Sequence, residues 1–145
     1  MAVYRDGQGR DAMESRVVVR TAGEGFENEV EVRGHRLRAD EPVESGGTDR
    51  GPSPSELLLA ALGACTSITL RMYAKRKGWD LQSVEVVLGR RALGAGEGAE
   101  TEITRTLRMA GALDATQRAR LAEVAGKFPV HRALNGGVRV ATKVE

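Results

Sequence analysis

The chain has 145 residues, 22 Lys+Arg against 20 Asp+Glu, 41% hydrophobic and 3% aromatic residues, and one cysteine. That length predicts a single domain spanning residues 1–145, and a net charge of +2 with so few aromatics supplies neither a phosphate-binding stripe nor a base-stacking platform, which argues against nucleic acid as a partner. Cys65 alone can make neither an intramolecular disulfide nor a CxxC zinc or redox site, so the composition suits a reducing compartment.

Residues 1–15 carry turn formers and charges without periodicity and read as an arm or a short leading strand. Met1 to Arg20 lacks the apolar core of a signal peptide, and the longest fully apolar run, Leu57 to Cys65, is well short of the roughly 20 residues of a membrane span. The expectation is a soluble cytoplasmic protein with no membrane partner. Arg16 to Thr21 and Phe26 to Arg33 have strand character, the second alternating Phe26, Asn28, Val30 and Val32 against Glu27, Glu29, Glu31 and Arg33, with a hairpin at Ala22 to Gly25. His35 to Ala39 continues as a third strand. Asp40 to Pro54, rich in Gly, Pro and Ser, is a loop that ends in a helix start: Ser53 can cap, Pro54 suits the first helical position and Glu56 puts negative charge in the first turn.

From Ser55 to Lys77 a single helix of roughly 22 residues, about 33 Å long, is predicted, stopped by Gly78. Its first half is apolar on nearly every face, which predicts burial all round, and the sheet of one chain can cover one side only. A homodimer with the long helices near its centre follows as the expectation. Ser83 to Arg91, with Val84, Val86 and Leu88 inward, and Thr101 to Met109, with Ile103, Leu107 and Met109 on alternate positions, are strands joined by a loop at Gly94 to Gly98. Asp114 and Gln117 form a capping-box pattern opening a helix to about Lys127, Pro129 begins a helical turn through Leu134, and Val138 to Val144 alternates as a last strand. The order is α+β with antiparallel sheet and no βαβ unit.

Chemistry centres on Cys65. Leu58, Ala61, Leu62, Ile68, Thr69 and Met72 share its helix face, an apolar setting in which an isolated thiol is inert, because the thiolate is the reactive form. Activation therefore needs positive charge from another segment, and Phe128-Pro129-Val130-His131-Arg132 offers it through a helix start, His131 and Arg132. His131 can equally be a structural hydrogen-bonding residue, and Glu56 a favourable first-turn charge. Two histidines without clustered acids make no metal site, and the glycines at Gly46-Gly47 lack the Lys-Ser/Thr ending of a phosphate loop.

The block Gly46-Gly47-Thr48-Asp49-Arg50-Gly51-Pro52-Ser53-Pro54-Ser55-Glu56-Leu57-Leu58-Leu59-Ala60-Ala61-Leu62-Gly63-Ala64-Cys65-Thr66, followed by Pro129-Val130-His131-Arg132-Ala133-Leu134, resembles the OsmC/Ohr family of osmotically inducible and organic hydroperoxide resistance proteins, over roughly Val17 to Val144. The resemblance implies an OsmC-like α+β fold, antiparallel sheets wrapped around a long central helix in an intertwined homodimer, with two sites at the subunit interface. In peroxidase members the helix cysteine attacks the peroxide and a second cysteine resolves the sulfenic acid. Cys65 matches the first by position. Phe128 stands where the second belongs, which leaves a one-cysteine cycle completed by an external thiol reductant, or a protein that kept the fold and lost the reaction. The family's pairing glutamate falls ten residues before the cysteine, where Ser55 stands with Glu56 beside it, and the activating arginine comes from among Arg16, Arg20, Arg38 and Arg50. The candidate set is Cys65, His131 and Glu56 for catalysis and Phe128, Leu58, Met72 and Arg50 for the substrate, a small organic hydroperoxide, with no metal or cofactor. Two alternatives stand beside it: a non-catalytic dimeric module binding an apolar small molecule, and a Cys65/His131 thiol enzyme acting on acyl or electrophilic substrates.

Overall fold

The computed structural model describes residues 16–145; the arm or leading strand expected at residues 1–15 lies outside them. The chain divides into two compact units at Leu57/Leu58. In the first, three five-residue strands, β1 (Val17–Thr21), β2 (Asn28–Val32) and β3 (His35–Ala39), form an antiparallel sheet in chain order. Val32 pairs with His35 across a two-residue turn in which both Arg33 (φ 49°) and Gly34 (φ 82°) are left-handed, the turn whose twist matches that of paired strands. The register puts Val17, Val19, Val30, Val32 and Leu37 on one face, and Arg20, Glu29, Glu31, Arg36 and Arg38 on the other, where diagonal pairs such as Arg20–Glu31 (3.5 Å) and Arg36–Glu29 (3.8 Å) form. The apolar face is open: Val17, Val19 and Leu37 are all more than half exposed.

The loop after β3 is organised by one carboxylate. Asp40 is buried and accepts hydrogen bonds from the N–H groups of Glu41 (2.8 Å), Thr48 (3.2 Å) and Arg50 (3.1 Å) and from the Thr48 hydroxyl (2.7 Å). These donors, the Thr48 hydroxyl foremost, hold its pKa down at about 2. Gly47 packs so closely on the Glu41 carbonyl that a Cβ there would overlap it, which explains a glycine at that point.

The helix α1 (Pro54–Lys77) begins one residue earlier than expected. Ser53 and Glu56 form a reciprocal cap, the Ser53 N–H donating to Glu56 Oε2 at 2.7 Å and the Glu56 N–H to Ser53 Oγ at 3.3 Å. By length and composition α1 could cross a membrane, with mean hydropathy 1.5 over 18 residues, although its longest fully apolar run is short. Burial all round is not what one chain provides. Leu62, Thr66, Leu70 and Ala74, at steps of four, are buried, while Leu58, Ile68 and Met72 are exposed, because a single chain covers one stripe of the helix.

In the second unit β4 (Ser83–Leu93) and β5 (Glu100–Ala110) form an antiparallel hairpin longer at both strands than predicted. Leu88 of β4 lies against Gly63 of α1, where a Cβ would come within 2.8 Å of Leu88 Cδ1. The helix α2 (Ala115–Val124) carries the predicted Asp114/Gln117 capping box and stops three residues short of the expected end, the chain turning at Ala125 to Lys127. Leu70 and Ala74 meet Leu121, Val124 and Ala125 in the core, with Trp79, Leu107 and Phe128 packed at its edge. The helix α3 (Pro129–Gly136) follows, longer than one turn. The predicted strand over Val138 to Val144 is absent: the segment has no regular structure, and Val138, Val140 and Val144 are 70, 82 and 90% exposed. Its alternation is a strand pattern that pairs with no strand among the described residues.

Candidate functional site

Cys65 is a free, half-buried thiol in the middle of α1. Leu58, Ala61, Cys65, Ile68 and Met72 recur at alternating spacings of three and four, so the thiol sits within an exposed apolar stripe. The neighbouring residue Thr66, about 100° further round the helix, faces into the protein and is buried. Its hydroxyl donates to the Leu62 carbonyl (2.7 Å) and accepts from Arg105 Nη1 (3.1 Å). Strand β5 thus brings a cation to the residue next to Cys65.

Arg105 is unusual for its position. It occupies the inward face of β5 between Ile103 and Leu107, opposite Leu88, where the alternation calls for an apolar residue. It is half-buried, and among the described residues no carboxylate lies within ion-pair distance of it. Burial pulls its guanidinium below the usual arginine value, and attraction to the Cys65 sulfur partly offsets that loss. Arg90, paired with Ile103, is its diagonal neighbour on the same face.

Both arginines line a cavity of 410 Å³ with His131 and Asn135 of α3, the apolar side being Leu58, Leu62, Ile103 and Leu134. Asn135 Nδ2 lies 2.8 Å from His131 Nε2, so the amide donates and the ring nitrogen accepts. Pro129 at the start of α3 and the four-residue step from His131 to Asn135 put both side chains on one side of that helix. A second cavity, of 690 Å³ and largely apolar, is lined by Thr69, Met72, Tyr73 and Phe128 with Lys75 and Arg76.

The predicted residues therefore separate. His131 and Leu58 meet in the first cavity and Phe128 and Met72 in the second, while Cys65 lines neither. Glu56 caps α1, its carboxylate held below the usual glutamate range by the Ser53 N–H and hydroxyl. Arg50 sits 3.9 Å from Glu27, which Arg38 approaches more closely at 3.0 Å, and its backbone N–H belongs to the Asp40 cluster. Arg105, Arg90 and Asn135 were not singled out from sequence. For the arginines a signal existed: each interrupts the inward apolar row of its strand, Arg90 after Val84, Val86 and Leu88, and Arg105 within Ile103, Leu107 and Met109.

Comparison with solved structures places this fold among OsmC and Ohr proteins. An OsmC-like protein from Mycoplasma pneumoniae superposes with a TM-score of 0.74 at 15% identity, covering 86% of this chain and 89% of its own. An organic hydroperoxide resistance protein OsmC from Legionella pneumophila gives 0.64 at 19%, covering 86% and 91%. The organic hydroperoxide resistance protein OhrB of Bacillus subtilis gives 0.59 at 21%, covering 85% and 91%. A search of the curated proteins finds no match. The profile described as OsmC-like protein matches residues 47–143, from the Asp40-organised loop through α1 and Cys65 to the end of the His131 helix and beyond, and the chain belongs to the OsmC-like family.

Proposed function

We propose that this protein is a thiol-dependent peroxidase reducing small organic hydroperoxides at Cys65 by a one-cysteine cycle. The observation that carries the reading is the half-buried free thiol of Cys65 in an accessible apolar stripe, one residue from the hydroxyl that holds the Arg105 guanidinium. Arg105 is the nearby cation that such thiol chemistry uses. Two of the structural relatives are named for organic hydroperoxide resistance, which supports the same chemistry.

The Cys65 thiolate attacks the terminal oxygen of the hydroperoxide. A sulfur–oxygen bond forms, the oxygen–oxygen bond breaks, and the alkoxide leaves as the alcohol after taking a proton. Phe128 provides no thiol, so an external thiol attacks the sulfenic acid, releasing water and forming a mixed disulfide. A second external thiol then frees Cys65. The exposed stripe of α1, the open valine face of the β1–β3 sheet and the unpaired strand pattern at Val138 to Val144 support a homodimer that covers them. We place the protein in the cytoplasm, where thiol reductants are abundant.

The test is a stoichiometric pulse of cumene hydroperoxide beside hydrogen peroxide, with a sulfenic-acid trap and a Cys65→Ser control. Rapid trapping at Cys65, reversed by added thiol and faster with the organic peroxide, is the expected result. A thiol that survives minutes of exposure refutes the peroxidase. The second reading, an apolar small-molecule binder, draws on the 690 Å³ cavity walled by Met72 and Phe128; it predicts an unreactive Cys65 and a ligand that copurifies.

A further inference from the structure

We propose that the 410 Å³ cavity between the β4–β5 hairpin, α1 and α3 is a binding site for a small amphipathic carboxylate, its anionic group held by Arg90 and Arg105 and its carbon body by Leu58, Leu62, Ile103 and Leu134. The inference does not depend on peroxide chemistry at Cys65, which does not line the cavity.

Arg105 is half-buried and Arg90, though exposed, faces the same side of the hairpin, and the cavity they share supplies no counter-charge of its own. No carboxylate is among its lining residues. The acids nearest in sequence, Glu100 and Glu102, pair in register with Leu93 and Arg91, and so lie on the other face of the hairpin from Arg90 and Arg105. Glu102 is already bound to Arg91 there. The other arginines of the hairpin, Arg91 and Arg108, face out and each has a glutamate. The division is therefore by face: arginines on the outer face are neutralised within the hairpin, and those on the inner face converge on a cavity.

The donor set specifies the ligand class. Two guanidinium groups as diagonal neighbours present forked N–H donors that match the two oxygens of a carboxylate. Asn135 and His131 line the same cavity and add polar groups to it. The remaining wall is aliphatic, and a strongly hydrated inorganic anion would leave it unused, whereas a monoanion with a compact apolar body covers it.

The experiment is calorimetric titration of the full-length protein and of its Cys65→Ser variant with hydrocinnamate, using hydrocinnamamide, acetate and inorganic phosphate as comparisons. Hydrocinnamate is expected to bind both proteins alike, and the amide about tenfold or more weaker, since a charge-assisted pair is lost. Arg105→Met and Arg90→Met should each weaken hydrocinnamate by about tenfold, and Arg105→Lys should recover only part of the loss because a lysine does not fork. Circular dichroism of each variant separates lost binding from lost folding. Equal affinity for acid and amide overturns the proposal. So does hydrocinnamate binding no more tightly than acetate or phosphate, which would make the cavity a bare anion site, or no binding to the parent protein at all. Loss of binding in Cys65→Ser alone would place the ligand at the thiol instead, and would also overturn it. None of these outcomes is decided by whether Cys65 reduces peroxides.

Discussion

Arg105→Met separates a cation kept for reactivity from one kept for stability. Methionine has similar length and no branch, so it can occupy the inward site between Ile103 and Leu107 without a cavity. The change removes one hydrogen bond, from Nη1 to Thr66 Oγ1 at 3.1 Å, worth about 1 kcal/mol net. It also removes the cost of holding a half-buried guanidinium away from water, a contribution of opposite sign and of the order of 1 kcal/mol at this exposure. Thr66 is not orphaned, because its hydroxyl still donates to the Leu62 carbonyl. The unfolding free energy should therefore stay within about 1 kcal/mol of the parent, or roughly 4 °C in the melting midpoint of a chain this size. Reactivity should move more clearly. Removing the nearby cation should lower the rate of Cys65 alkylation by iodoacetamide at neutral pH about two- to fivefold. A loss of stability above about 2 kcal/mol would make Arg105 a structural tie, and an unchanged alkylation rate would show that its charge does not reach the sulfur. Either result refutes the assignment.

Leu121→Ala, at a fully buried position in contact with Leu70 and Ala74, should cost about 2–5 kcal/mol in urea unfolding with the fold retained. Asp40 has its pKa lowered from 3.8 to about 2 in the folded chain. The unfolded state therefore binds the extra proton between these values, and the stabilisation, complete above about pH 4, is lost as pH falls through 2. Asp40→Asn should lower the melting midpoint at neutral pH and flatten its decline in that acid window, as followed by circular dichroism. Ile68→Lys places a charge in the exposed α1 stripe and should shift a dimer toward monomer in light scattering at unchanged helix content, whereas an unchanged mass would place any interface elsewhere.

What the sequence makes legible follows the range of the interaction. Local signals transfer almost intact. Asp114 and Gln117 announce their capping box, and Ser53 and Glu56 the start of α1. Each depends on groups within a few residues. The helix and strand periods were readable for the same reason, although β4 and β5 extend past their predicted ends because pairing continues through Arg91, Ala92 and Leu93 against Glu100 to Glu102. The candidate site was less legible. Cys65 could be identified by its helix, but the cation near it depends on the register of a hairpin some forty residues away. The family pattern pointed toward Arg16, Arg20, Arg38 and Arg50. Arg20 and Arg38 are paired with Glu31 and Glu27, and Arg50 approaches Glu27 as well. Apolar alternation in β4 and β5 concealed Arg90 and Arg105, because a strand is read by its matches, and a charged residue within an inward row registers as a defect.

The same logic accounts for the one element the sequence promises and the structure lacks. Val138, Val140 and Val144 alternate as firmly as Val17, Val19 and Val30, yet only the second set is in a sheet, because β1 and β2 find each other within one chain. Both sets nevertheless leave apolar side chains in water, as does the Leu58, Ile68 and Met72 stripe of α1. Isolated exposed aliphatics need no explanation, but three such arrays, all with the period of a packed element, each call for cover. Periodicity records what a residue is selected to touch, and it does so whether or not the partner belongs to the same chain. In this protein the pattern is satisfied inside the chain where Leu62, Leu70 and Ala74 meet their neighbours. Where it is left unsatisfied, on the Leu58, Ile68 and Met72 stripe and along the Val138 to Val144 tail, a partner with strand edges or helix faces of the same period would complete it, and the Ile68→Lys measurement decides whether a second copy is that partner.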